Sequence, residues 1–156
     1  MIERTSLNKK VLGRAAGNGL ERLELQKPRV LVASLKYTIA DDHSWEVLKT
    51  LIDSGRFEAK LIKCLGPEHL DILVGEIALG NYSAIVIVWE WAFVEEDVQT
   101  FVRAVRSKFP ELKMIAASNH PGCREMLMEA GCSDEFETAT LPVLFAQTLL
   151  NTLETA

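Results

Sequence analysis

Residues 83–91 read Ser-Ala-Ile-Val-Ile-Val-Trp-Glu-Trp, and the middle of that stretch, Ile85, Val86, Ile87 and Val88, is an unbroken β-branched run. Such side chains lose χ1 freedom in a helix and pack well on a pleated surface. Strict alternation of apolar and polar residues would mean one wet face. A continuous apolar run means that both faces are covered, as in the central strand of a parallel sheet flanked by helices. The stretch therefore predicts a middle strand whose C-terminal edge carries Trp89, Glu90 and Trp91. In open α/β sheets, ligands and chemistry gather at that edge.

The rest of the chain supplies the partners such a strand needs. Residues 29–35 predict a first strand. Asp41, Asp42 and Ser44 then open a helix, because short oxygen-bearing side chains accept from the orphan N–H groups there. Trp45, Leu48, Leu51 and Ile52 recur at helical spacing and Ser54-Gly55 stops the helix. Residues 57–65 read as a second strand. Gly66-Pro67-Glu68 opens a second helix with an apolar stripe of Leu70, Leu73, Val74 and Ile77, ended by Gly80-Asn81. Residues 95–108 form a third helix, with acids at its start and Arg103, Arg106 and Lys108 toward its end, as the helix dipole favours. Residues 112–117 predict a fourth strand, 123–130 a short helix closed by Gly131, 134–137 a weak fifth strand, and Pro142 opens a last helix. Alternation of strand and helix with short links gives an α/β domain with a doubly wound five-stranded parallel sheet, and the flavodoxin-like order is 2-1-3-4-5.

Residues 1–28 differ from the domain at 29–156. They are polar, with a basic cluster (Arg4, Lys9, Lys10, Arg14), while Leu7, Val11, Leu12 and Ala15 could line one side of a short helix. This N-terminal extension is expected either to pack on the domain or a neighbour or to act as a docking arm for a partner. The net charge of −5 argues against binding nucleic acid directly. Three cysteines without a CxxC pair, no secretory h-region and no long apolar run point to a cytoplasmic protein that makes no use of a membrane.

From Arg29 onward the chain resembles the receiver domains of bacterial response regulators. Glu129-Ala-Gly-Cys-Ser-Asp-Glu-Phe-Glu-Thr-Ala-Thr-Leu-Pro is similar to their E-A-G-A-D-D-Y-L-x-K-P stretch, and Tyr82-Ser-Ala-Ile-Val-Ile-Val to their Y-D-L-V-L-L-D. The resemblance implies a set of site positions: two acids after strand one that hold Mg²⁺, an acceptor Asp ending strand three, a hydroxyl ending strand four and a Lys ending strand five. Here the acceptor position falls on Val88, the hydroxyl position on Ala117 with Ser118 beside it, and the Lys position on Thr138. Followed without gaps, strand one puts Ser34 and Leu35 at the acid pair. Valine cannot accept a phosphoryl group, so the resemblance implies a degenerate pseudo-receiver: a regulatory module in two-component-type signal transduction that works by protein–protein interaction. It is not an enzyme, and no cofactor or resident metal is implied.

Rival placements of the chemistry remain open. Asp41-Asp42-His43 resembles the D-D-H after strand one of many receivers, which would make Asp41 and Asp42 a displaced acidic site. Glu90, two residues past the acceptor position, would be the carboxylate nearest to it and a stand-in for a permanent phosphate charge. Asp41-x-His43 also matches part of the D-x-H-x-x-G of cobalamin-binding domains of this topology, although Glu46 replaces the glycine, spacing to Gly55 puts the ligand at Ala40, and no glycine-rich stretch follows strand four. Cys123, near a helix start with His120 three residues before it, could be a reactive thiol but reads better as a small residue in a first turn. His43 and His69 read as surface residues.

Receivers commonly pair through the face of their fourth and fifth helices and fifth strand, which carries the expectation of a homodimer to 122–153, with Met126, Met128 and Cys132 adding apolar surface. Trp89 is expected to fill the vacated pocket and Trp91 to stay exposed as a docking anchor.

Overall fold

A computed structural model describes residues 27–35, 42–90, 94–137 and 151, with Asp42 and His43 described by their backbone alone. In chain order the elements are β1 (Arg29–Leu35), α1 (Asp42–Ser54), β2 (Glu58–Cys64), α2 (His69–Gly80), β3 (Ala84–Trp89), α3 (Glu95–Lys108), β4 (Lys113–Ala117), α4 (Pro121–Ala130) and β5 (Asp134–Phe136). They form a 5-stranded sheet in the order β2-β1-β3-β4-β5. Every pairing is parallel. The doubly wound α/β class and the strand order are those expected from the sequence.

The β-branched run sits where two helical layers need it. All six residues of β3 are buried. Ala84, Val86 and Val88 pack with Val30, Val32 and Ile115 against Val47, Leu48 and Leu51 of α1. Ile85, Ile87 and Trp89 point the other way, into the larger cluster with Leu73 of α2, Val102 of α3 and Leu127 of α4. A strand turns successive side chains to opposite faces, so a run with no polar member is what two apolar layers require.

Several boundaries and faces differ from the expectation. β3 ends at Trp89 rather than 91, so Glu90 lies beyond the ladder. α4 starts at Pro121, whose fixed φ and missing N–H suit a first turn, rather than at residue 123. Trp45 and Ile52 were expected on the inner side of α1, yet they are 56% and 52% exposed. The buried stripe is Ser44, Val47, Leu48 and Leu51. Trp45 and Ile52 each follow a stripe residue by one position, a rotation of about 100° that carries them off the sheet. Cys132 is buried and supplies no outer surface, while Met126 and Met128 are half-buried against the core. The N-terminal extension up to residue 26 and the last helix from 142, apart from a helical Asn151, lie outside the described residues.

Two loops are locked by backbone that favours particular residues. Asn81 caps α2 in the left-handed region at φ 54°, and Gly131 ends α4 at φ 144°. A Cβ on Gly131 would also stand 3.2 Å from the Arg106 Cβ. Arg106 itself donates to the carbonyls of Gly131, Pro110 and Leu112 at 2.9–3.1 Å. One guanidinium thus ties the end of α3 to the entry of β4 and the exit of α4.

Candidate functional site

β3 and β4 run side by side with Val88 paired to Ala117, and β1 adds Ser34 opposite Val88. These residues form the floor of the C-terminal edge. Val88 and Ala117 are buried in the α1-side cluster, and neither presents a polar atom beyond its backbone. Trp89 is fully buried, but on the other side, in the core under α2, α3 and α4, and not in the pocket beside Val88 that it was expected to fill.

The polar chemistry begins one residue later on both strands. The Glu90 carboxylate is half-buried and accepts the Ser118 hydroxyl at 2.5 Å and the Asn119 backbone N–H at 2.6 Å through the same oxygen, Oε1. Hydrogen bonds to an ionised carboxylate are short and about twice as strong as neutral ones. The Ser118 hydroxyl, itself buried, also accepts the His120 N–H at 3.0 Å. Its proton and a lone pair are therefore both used.

The clasp continues outward. Arg124 of α4 donates through Nη1 to the Ser118 carbonyl at 2.7 Å and through Nε to Glu135 of β5 at 3.1 Å. Its side chain is only 16% exposed. A chain of polar contacts thus runs from the end of β3, across the β4–α4 turn, to the outer surface of α4 and β5.

The structure brings Glu90 and Ser118 together, with Val88 and Ala117 beneath them. The hydroxyl that meets the carboxylate belongs to Ser118, one position past the Ala117 that gapless reading assigns. Asp41, Trp91 and Thr138 lie outside the described residues, and so does the side chain of Asp42. Asn119, Arg124 and Glu135 were not singled out from sequence. A signal for the first contact was present: Glu90 and Ser118 each come one residue after the end of paired strands, so both side chains leave the sheet at the same edge.

A Mg²⁺ ion of the kind the receiver resemblance brings to mind needs several oxygen ligands. The described edge does not fit that requirement. Ser34 and Leu35 are buried and carry no carboxylate, Val88 is apolar, and Glu90 Oε1 is engaged by two protein donors. Among the described residues no group of three or more His, Cys, Asp or Glu is placed to hold a metal ion. Cys64 and Cys132 are pushed up to about 11 and about 12 by burial, away from the thiolate form that reactive cysteines need. Cys123 is fully buried in the α2–α4 side of the core, a small residue in a first turn as expected. His69 is half-buried, and its Nδ1 accepts the Leu65 N–H at 3.0 Å.

No protein-family model matches the sequence, and no match is found among curated proteins. The fold does match solved structures. One is the signal receiver domain of the response regulator NarL from Mycobacterium tuberculosis, at 14% identity and a TM-score of 0.64, covering 84% of this chain and 99% of that one. Another is an atypical orphan response regulator described with a phosphorylation-independent regulatory mechanism, at 19% identity and a TM-score of 0.55, over 81% and 92% of the two chains. A cobalamin-binding protein from Desulfitobacterium hafniense is also similar, at 16% identity and a TM-score of 0.59, over 84% of this chain and 64% of that one. At these identities the likeness is one of fold: a flavodoxin-like, receiver-type sheet.

Proposed function

We propose that this chain is a phosphorylation-independent, receiver-like regulatory module that acts through protein–protein interaction. The observation that carries the reading is the Glu90 clasp. Where the receiver resemblance calls for an acceptor Asp, the strand offers buried Val88. Two residues on, a permanent carboxylate accepts from the Ser118 hydroxyl and the Asn119 N–H. In this reading Glu90 supplies constantly the negative charge that a phosphoryl group supplies conditionally. Ser118 answers it, and the β4–α4 turn is held in one state. Arg124 transmits that state to Glu135 and the α4–β5 surface, which is the face offered to a partner. The same face, with Met126 and Met128 beside it, is proposed to pair two copies of the chain as a homodimer. The reading contains no catalytic step.

The test is incubation of the full chain with acetyl phosphate and Mg²⁺, followed by intact-mass measurement. No added phosphoryl group is expected. A mass increase that is acid-labile and sensitive to hydroxylamine would overturn the reading. Sedimentation as a dimer at tens of micromolar is the outcome expected for assembly, and a monomer under those conditions removes the pairing proposal.

A further inference from the structure

The α2–α3 side of the domain carries an open groove of about 330 Å³ that plays no part in the Glu90 clasp. Its floor is apolar, with Leu70, Val74 and Phe101, and its rim is acidic, with Asp71, Glu96 and Asp97. Glu96 and Asp97 in the first turn of α3 and Asp71 in the first turn of α2 each suit their own helix dipole, and together they make both banks of the groove negative. An apolar floor ringed by acids is a docking surface for a segment of apolar and basic chemistry.

The chain supplies a segment of matching chemistry. Residues 1–27 carry six Lys or Arg against three Glu, whereas the remaining 129 carry eleven basic against nineteen acidic residues. Within that basic end, Leu7, Val11 and Ala15 recur every fourth residue, with Lys9, Lys10 and Arg14 between them and Arg4 before them. At helical spacing Leu7, Val11 and Ala15 share one side that Lys10 and Arg14 flank, the complement of a groove with an apolar floor and an acidic rim. The reach is sufficient. β1 begins at the N-terminal edge of the sheet, where the Pro28 carbonyl accepts the Glu58 N–H and the Arg29 side chain bonds the Gly80 carbonyl at the end of α2. The groove lies toward the opposite edge, about 23 Å away along a seven-residue strand. The twelve residues from Ala16 to Lys27 span up to about 40 Å when extended.

We propose that residues 4–15, outside the described residues, dock as a basic amphipathic helix into the acid-rimmed groove between α2 and α3 of the same chain. The inference is independent of the Glu90 reading, since it uses neither the clasp nor the α4–β5 face. Its consequence is regulatory: the arm and an external basic partner would compete for one groove.

A spin label tests it in the full chain. Cys64, Cys123 and Cys132 are buried, so a Ser6→Cys substitution provides the accessible thiol. Amides of Asp71, Val74 and Thr100 are expected to lose at least half their NMR intensity, while those of Lys49 and Asp53 in α1, on the opposite face of the sheet, keep theirs. The double charge reversal Asp71→Lys with Asp97→Lys should reduce that broadening at least threefold. Raising salt to about 1 M, where the screening length is about 3 Å, should act in the same direction without any substitution beyond the label site. Broadening that is absent, spread evenly over the domain or indifferent to both changes overturns the proposal. So does broadening of isotope-labelled chains by spin-labelled chains in a mixed sample, which would put the arm on a second copy.

Discussion

The two ends of β3 each hold a carboxylate that accepts from two donors, and they are built very differently. At the N-terminal end, Tyr82 donates its hydroxyl to Glu76 at 2.6 Å, and Lys60 reaches the same oxygen at 3.1 Å. Arg29 lies over the Tyr82 ring at 4.9 Å and pairs with Glu58 at 3.4 Å. These are side chains on the outsides of β1, β2 and α2, and Lys60 is 53% exposed. At the C-terminal end, Glu90 accepts from a buried hydroxyl and a backbone N–H in the turn that starts α4. Water can replace most of the partners in the first network. In the second it cannot reach Ser118. An exposed network ties surfaces together at small net gain, whereas one anchored on a buried donor sets the shape of a loop.

The largest effect that would sharpen this contrast is at Trp89, on which the C-terminal end rests. Trp89→Ala is expected to lower folding stability by about 3–5 kcal/mol through a core cavity. Trp45→Ala, on an exposed ring, should stay within about 0.5 kcal/mol of the parent. Urea denaturation of both variants checks the pair. Equal losses would mean that burial does not distinguish the two tryptophans.

An intermediate effect compares the carboxylates directly. Glu90→Ala leaves the Ser118 hydroxyl and the Asn119 N–H without this acceptor and is expected to cost about 1–2 kcal/mol. Glu76→Ala should cost less, since Lys60 remains open to water. The Glu90 variant should also shift the amide resonances of Asn119, His120 and Arg124, which the Glu76 variant leaves in place. If Glu76→Ala proved the costlier change, the contrast between the two ends would be broken.

The smallest effect is in the pH dependence of the N-terminal end. Burial, and then the hydrogen bond to Glu76, push the Tyr82 hydroxyl up from 10.0 to about 12. The raised value favours the protonated form in the folded state, so the contribution of Tyr82 is complete below pH 10 and lost as pH rises toward 12. Glu76 is held below its ordinary value by the Tyr82 hydrogen bond first and the Lys60 hydrogen bond next. Its contribution is present above pH 4.5 and lost as pH falls through the lowered value. The stability difference between the parent and Tyr82→Phe should therefore shrink between pH 10 and 12. Ultraviolet titration showing both tyrosines ionising near 10 would remove the effect.

Much of the fold was legible because its signals are local. The β-branched run of β3, the stripe of Leu70, Leu73 and Ile77, and the Gly or Pro punctuation at Gly55, Pro67 and Gly131 each act within a few residues. Right-handed parallel connection then leaves few ways to order the strands. The errors were also local ones of phase. Trp45 and Ile52 fit a helical period, but period alone does not say which side meets the sheet, and Cys132 was read as surface where the chain turns inward.

The candidate site was legible only as separate residues. Glu90 and Ser118 were each marked by their neighbourhood of a strand end, and Val88 by what it lacks. Sequence by itself determined that the β-branched run ends in a valine, that a carboxylate stands two residues after it and that a hydroxyl follows the fourth strand. Only the tertiary structure decided that the carboxylate and the hydroxyl meet, and that Arg124 carries the contact on to Glu135. The physical reason is distance along the chain. Ser118 is 28 residues from Glu90. A hydrogen bond across that gap depends on the register of two strands and the path of a turn, which no local propensity encodes.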